Sequence, residues 1–157
     1  MEKEIQQKIE ECLNCKNKPC SVKGCPVHTD IPGFIQKMKQ EDLEGAYVLL
    51  QNNNSLSSIC CRVCYQEEQC QGSCVRGIKG NPVSIGMLEK EVNEWARKNK
   101  KEIVSPVKKK GKVAIIGSGP SGLTVAHELN KEGIGVTVFE KEKELGGILR
   151  YGIPDFR

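Results

Sequence analysis

Residues 61–74 read CRVCYQEEQCQGSC, four cysteines in fourteen residues, with Cys60 directly before them. A second group stands nearer the start: Cys12, Cys15, Cys20 and Cys25, separated by two, four and four residues, with Pro26 following the last. Nine cysteines in 157 residues is an odd count that leaves no closed set of disulfides. In a reducing compartment such groups bind metal or carry redox chemistry. Thiolates are soft ligands and suit zinc or iron–sulfur clusters. A structural zinc site prefers two tight Cys-x2-Cys knuckles or a Cys/His mixture. Only Cys12/Cys15 and Cys61/Cys64 have that spacing, and His28, a polar turn residue, is the only nearby histidine. Staggered thiols and a Cys-Pro step are closer to ferredoxin-type loops, although the spacing differs from the bacterial ferredoxin run.

Around the cysteines the periodicity is helical. Ile5, Ile9 and Leu13 share one face of a helix running into the first group. HTDIPGFIQKMKQ predicts a turn into a helix, with Asp30 as cap and Pro32 early. EDLEGAYVLLQ predicts another, with Leu43, Ala46, Tyr47 and Leu50 on one side, and NNNSLSS breaks it. The stretch 84–98 predicts the best helix: Ser84 caps it, and Ile85, Leu88, Val92 and Trp95 form its stripe. No strand is expected here, so residues 1–96 read as a small helical domain with two cysteine-rich loops.

The net charge of +4 is unevenly spread: residues 97–112 hold eight Lys or Arg against one Glu, a net +7, so the remainder carries −3. Residues 97–111 therefore read as a basic, solvated linker. No aromatic residues interleave with its lysines, which argues against nucleic acid. MEKEIQQKIEEC has no apolar signal-peptide core, and the longest apolar runs, such as VAII, are too short for a membrane. A cytoplasmic protein with no membrane partner is the expectation.

Residues 112–157 contain no cysteine and hold half of the glycines. KVAIIG predicts a short buried strand, SGLTVAHELNKEG a helix closed by Gly133, and GVTVFEKE a second strand. The turn Gly117-Ser118-Gly119-Pro120-Ser121-Gly122 suits a dinucleotide: Gly117 for the tight turn, Gly119 for close approach of a pyrophosphate, Gly122 for helix–strand packing. The helix N-terminus offers its free N–H groups to the phosphates. Glu140, ending the second strand, can accept from ribose hydroxyls. His127, on the crossover helix, reads as a packing or surface residue.

Taken together, CLNCKNKPC…GCPVHTDIPGFI, CRVCYQEEQCQGSC, GNPVSIGMLEKEV and KVAIIGSGPSGLTVAHEL…VFEKEKELGGILRYGIPDFR resemble the NAD(P)H-dependent glutamate synthase small-subunit family. They resemble equally the N-terminal part of dihydropyrimidine dehydrogenase and the large subunit of NADH-dependent ferredoxin:NADP+ oxidoreductase. The resemblance implies a mainly α fold: a two-cluster iron–sulfur domain followed by a partial Rossmann-like βαβ unit, the start of a FAD-binding domain over 112–157. It implies two 4Fe-4S clusters, one held by Cys12, Cys15, Cys20 and Cys74, the other by Cys25, Cys64, Cys70 and Glu89. It also implies FAD at Gly117, Gly119, Pro120, Ser121, Gly122 and Glu140, with Gly146 and Gly147 of ELGGILRYGIP nearby. An NAD(P)H site further along such proteins and a larger electron-accepting partner subunit are implied too, with electrons passing from NAD(P)H through FAD to the clusters. A ferredoxin:NADP+ oxidoreductase-type subunit and a zinc-stabilised interaction module are the alternatives. The chain departs from the family at Cys61 and Tyr65, where Gly and Pro are usual, and the Cys20–Cys25 interval is one residue longer. Cys60 and Cys61 are expected to be spare thiols, packed or facing solvent, although either could replace Cys64 if the loop slipped.

Overall fold

A computed structural model describes residues 3–101, 111–154 and 156. Most of the basic linker, residues 102–110, lies outside the described residues. The chain divides into two units, Met1–Lys101 and Glu102–Arg157.

The first unit has helices joined by loops and no strand among its described residues: α1 (Lys3–Glu10), α2 (Ile31–Lys39), α3 (Leu43–Asn53), α4 (Ser57–Val63) and α5 (Ile85–Lys98). One π turn, Cys20–Gly24, and one 3-10 turn, Val75–Ile78, interrupt the cysteine segments. α2 begins where Asp30 accepts from the Gly33 N–H at 3.2 Å, with Pro32 in its first turn. The same device starts α3, where Asp42 accepts from Gly45 N–H at 2.8 Å. Lys37 Nζ stands 2.8 Å from Asp42 Oδ2, and these contacts hold the Asp42 carboxyl below its usual range.

α2 supplies the centre of the core: Phe34, Ile35 and Met38 are fully buried against Ile9, Leu50, Leu88 and Val92. Each such side chain contributes about 1.5–3 kcal/mol by leaving water. A buried polar chain fixes α4 between α3 and α5. Gln51 Nε2 donates to Ser57 Oγ at 3.1 Å, Ser57 Oγ donates to Asn93 Oδ1 at 2.9 Å, and Asn93 Nδ2 donates to the Glu89 carbonyl at 2.8 Å.

Several expectations need correction. α1 stops at Glu10, so Ile5 and Ile9 are buried while Leu13 lies beyond the helix and is 62% exposed. α4 was not expected. Cys60 and Cys61 sit on this helix, not in a loop, because packing against α5 overrides weak local propensity. Ser84 occupies the cap position of α5 but its side chain makes no capping bond. Ile85, Leu88 and Val92 are continued by Ala96, whereas Trp95 is only half-buried, with Lys101 Nζ 5.7 Å from its ring.

The second unit is β1 (Lys112–Ile116), α6 (Pro120–Lys131), β2 (Gly135–Phe139) and a short α7 (Ile148–Tyr151). The strands pair in parallel, Lys112 with Gly135 through Ile116 with Phe139. Gly133, at φ +79°, turns the chain out of α6 as expected. The strands are less buried than their apolar sequence suggests. Only Ile115 is buried among them, and Ile116 and Phe139 stay exposed, because the described residues supply no second layer on that face. No described helix is long and apolar enough to cross a membrane.

Candidate functional site

The two cysteine segments meet at Gly24. A Cβ there would stand 2.6 Å from the Gln69 carbonyl oxygen and 2.7 Å from Cys70 Cα, so only glycine lets these backbones touch. Ser21 Oγ accepts from Ile31 N–H at 3.0 Å and anchors the π turn to α2. Arg76 Nη1 donates to the Glu11 carbonyl at 3.3 Å and brings the segment after Cys74 against the one before Cys12.

This crossing sorts the thiols into two pockets. Cys12, Cys15, Cys20 and Cys74 line the first, with Pro19, Ile31, Pro32, Ile35, Val83 and Ile85 among its walls. Its free volume is about 20 Å³. Burial pushes the Cys20 thiol up to about 11 and raises Cys12 as well. The second pocket, about 210 Å³, is lined by Cys25, Cys64, Cys70 and Glu89, joined by Cys60, Thr29, Asn54, Gln66 and Gln69. Burial pushes Cys64 and Cys70 up to about 12 and raises Cys60. Glu89 is 8% exposed, and burial alone lifts its carboxyl to about 8.

The arrangement collects four thiols and a carboxyl around a cavity that no Lys or Arg lines among the described residues. Desolvation favours the neutral forms of Cys60, Cys64, Cys70 and Glu89, and a bound cation would favour their ionised forms. The Glu89 carboxylate accepts no hydrogen bond from the described residues. This donor set fits an iron–sulfur cluster, whose irons each take one protein ligand. A tetrahedral zinc ion would draw its four ligands onto one point. Among the described residues no three His, Cys, Asp or Glu are so arranged.

The structure separates the two thiols expected to be spare. Cys61 is buried and turned from the second pocket: its Sγ donates to the Ser58 carbonyl at 3.3 Å and accepts from Arg62 Nη1 at 3.3 Å. Cys60 lines that pocket instead, with Asn54 Oδ1 3.7 Å from its sulfur. Its spacing of four residues from Cys64, which caps α4, was the signal for this, and NNNSLSS hid the helix.

In the second unit, Gly117 adopts φ +94° and Gly119 starts α6, with Pro120 in the first helical position. A Cβ on Gly119 would meet nothing within 4 Å among the described residues, so the backbone there is open to close approach. A Cβ on Gly122 would lie 2.1 Å from the Gly117 carbonyl oxygen, the close helix–turn contact expected. Ser121 is exposed beside it. Gly147 packs under the same turn, its Cβ position 3.1 Å from Gly119 Cα.

Glu140 ties this region together. Its Oε2 accepts from Ser118 N at 2.9 Å and Ser118 Oγ at 2.5 Å, and its Oε1 accepts from Lys141 N and Glu142 N at 2.8 and 3.0 Å. These bonds, Ser118 foremost, hold the carboxyl down at about 2. Ser118, which sequence reasoning passed over, also accepts from Gly146 N at 3.0 Å, so it links the glycine turn to the Gly146-Gly147 loop.

Comparison with known proteins places both halves. Residues 1–101 match the family described as dihydropyrimidine dehydrogenase domain II, 4Fe-4S cluster, and residues 115–153 match the NAD(P)-binding Rossmann-like domain. The NAD-dependent dihydropyrimidine dehydrogenase subunit PreT of Escherichia coli K12 is 42% identical over 147 residues, covering 93% of this chain and 35% of its own. The glutamate synthase [NADPH] small chain of the same organism is 37% identical over 158 residues, covering 99% and 33%. That of Halomonas elongata is 38% identical over 151 residues, covering 93% and 31%. The chain thus spans about a third of the length of these curated relatives. Since the first match runs through both cysteine segments and both pockets, the chain belongs to the dihydropyrimidine dehydrogenase domain II 4Fe-4S family, continued by an NAD(P)-binding Rossmann-like region.

Proposed function

We propose that this chain is the electron-conducting part of an NAD(P)H-dependent flavin and iron–sulfur oxidoreductase. The observation that carries the reading is the sorting of the cysteines into two pockets, each drawing ligands from both segments. In it, Cys12, Cys15, Cys20 and Cys74 hold one 4Fe-4S cluster, and Cys25, Cys64, Cys70 and Glu89 hold a second. FAD lies over Gly117–Gly122, with Gly146 and Gly147 beside it. When bound, the flavin converts hydride chemistry into single-electron transfer, and the clusters carry those electrons onward.

The chain's own residues do the positioning. Gly24 lets the two segments approach, and the mostly apolar walls of the first pocket surround its thiols. α6 aims its N-terminus at the pyrophosphate, and Glu140 shapes the ribose end. In the full-length protein the electrons reach a larger partner subunit in the cytoplasm. The glutamate synthase small-subunit type is one form of that protein. A dihydropyrimidine dehydrogenase subunit type is a second, favoured by the 42% identity to PreT.

Iron, zinc, acid-labile sulfide and flavin counts on anaerobically purified full-length protein test the reading. It expects about eight iron and eight sulfide per chain, with broad brown absorbance and bound FAD. Stoichiometric zinc without sulfide would overturn the clusters. A nicotinamide nucleotide retained at the glycine turn in place of flavin would overturn the FAD assignment alone.

A further inference from the structure

We propose that Cys60 is an interchangeable ligand of the second cluster site, able to replace Glu89 as its fourth donor. The inference rests on the reading above, in which a 4Fe-4S cluster occupies that pocket. The pocket presents five acidic donors for four irons: Cys25, Cys60, Cys64, Cys70 and Glu89. Cys60 is placed there by α4, not by a loop. It lies one turn before Cys64, whose N–H donates to the Cys60 carbonyl at 3.1 Å, so both thiols share one helix face. The buried Gln51–Ser57–Asn93 chain holds α4 against α5, which carries Glu89, so donor and rival are fixed on packed elements.

Cys60 is engaged only by groups of the pocket itself, Asn54 and the Cys64 thiol, so its sulfur already stands beside an assigned ligand. The 3.7 Å contact from Cys60 to Asn54 Oδ1 is a weak one that a rotation about χ1 would break. The Glu89 carboxylate accepts no hydrogen bond from the described residues. Cys61, by contrast, is held away by Ser58 and Arg62. The pocket is also roomy, about 210 Å³ against about 20 Å³ for the first, so a fifth donor can turn within it. The exchange balances: one iron–oxygen bond breaks, one iron–sulfur bond forms, and the thiol proton passes to the carboxylate. No electron is gained or lost. Net charge is kept, and only the softness of one ligand changes.

The test uses full-length holoprotein prepared anaerobically, with iron and sulfide counts, EPR of the reduced protein and 57Fe Mössbauer spectra. Glu89→Ala should keep the wild-type iron and sulfide, and its second-site spectrum should become that of an all-thiolate cluster. The double variant C60A/E89A should lose half of the iron while the first site keeps its signal. C60A/E89C should recover the full count, which separates ligand loss from misfolding. The proposal is overturned if Glu89→Ala alone loses half of the iron, or if C60A/E89A retains it all. A wild-type protein carrying only one cluster would instead bring down the underlying reading and this proposal with it.

Discussion

The two cysteine pockets are built from the same two segments, yet they are unlike. The first is small, walled mostly by Ile, Pro, Leu and Val with Arg76 also lining it, and its ligand-type side chains are thiols alone. The second is ten times roomier and mixes thiols with a carboxyl, amides and a threonine hydroxyl. Ligand hardness, solvent access and hydrogen bonds to sulfur are the protein's means of setting a cluster potential. Two different potentials can therefore come from one small fold, by setting Pro32 and Ile35 of α2 at one pocket and Cys60 of α4 and Glu89 of α5 at the other.

The largest effects should come from breaking the pockets one at a time. Cys74→Ala should remove the first cluster and Cys70→Ala the second, each lowering iron per chain to about half. EPR should show a different signal surviving in each variant; the same survivor in both would mean the pockets are not independent sites. Gly24→Ala comes next, because its Cβ would strike backbone at 2.6 and 2.7 Å. The cost should be about 3 kcal/mol by thermal or denaturant unfolding. Unlike either cysteine variant, it should depress both clusters together.

Ser118→Ala then tests whether the comparison is confined to the helical unit. It leaves the buried Gly146 N–H without its 3.0 Å partner, at a cost of about 1–3 kcal/mol. Dinucleotide retention should fall while iron content stays at the wild-type value; a matching loss of iron would break the separation. The smallest effect contrasts the two carboxylates. The Glu89 carboxylate has no hydrogen-bond partner among the described residues, whereas that of Glu140 accepts from four donors. Its carboxyl is lowered from 4.5 to about 2, so its contribution is fully present above pH 4.5 and lost as pH falls through about 2. The Ser118 amide resonance should hold steady through pH 4.5 in NMR titration, and movement there would show the clasp absent in solution.

Local signals were legible where they act locally. Asp30 and Pro32 start a helix by their own chemistry, and the glycine turn and Gly133 are backbone requirements that sequence states directly. The apolar spacing of Ile85, Leu88 and Val92 needs only the helical period. What escaped depends on distant partners. α4 exists through its packing on α5 and through Ser57, whose hydroxyl joins residues from two other helices. Without that helix, Cys60 read as a spare loop thiol. Ser118 escaped for a related reason, since its partners Glu140 and Gly146 lie 22 and 28 residues away. The grouping of the cysteines came from family resemblance, because their spacing alone left zinc and iron–sulfur both open.

The crossing at Gly24 has a consequence for inheritance. Cys25 leaves its own segment for the second pocket, while Cys74 leaves the other for the first. Neither segment can therefore be copied, shuffled or deleted as a self-sufficient module. A lineage that lost either one would forfeit both sites at once, so the pair has to be passed on whole.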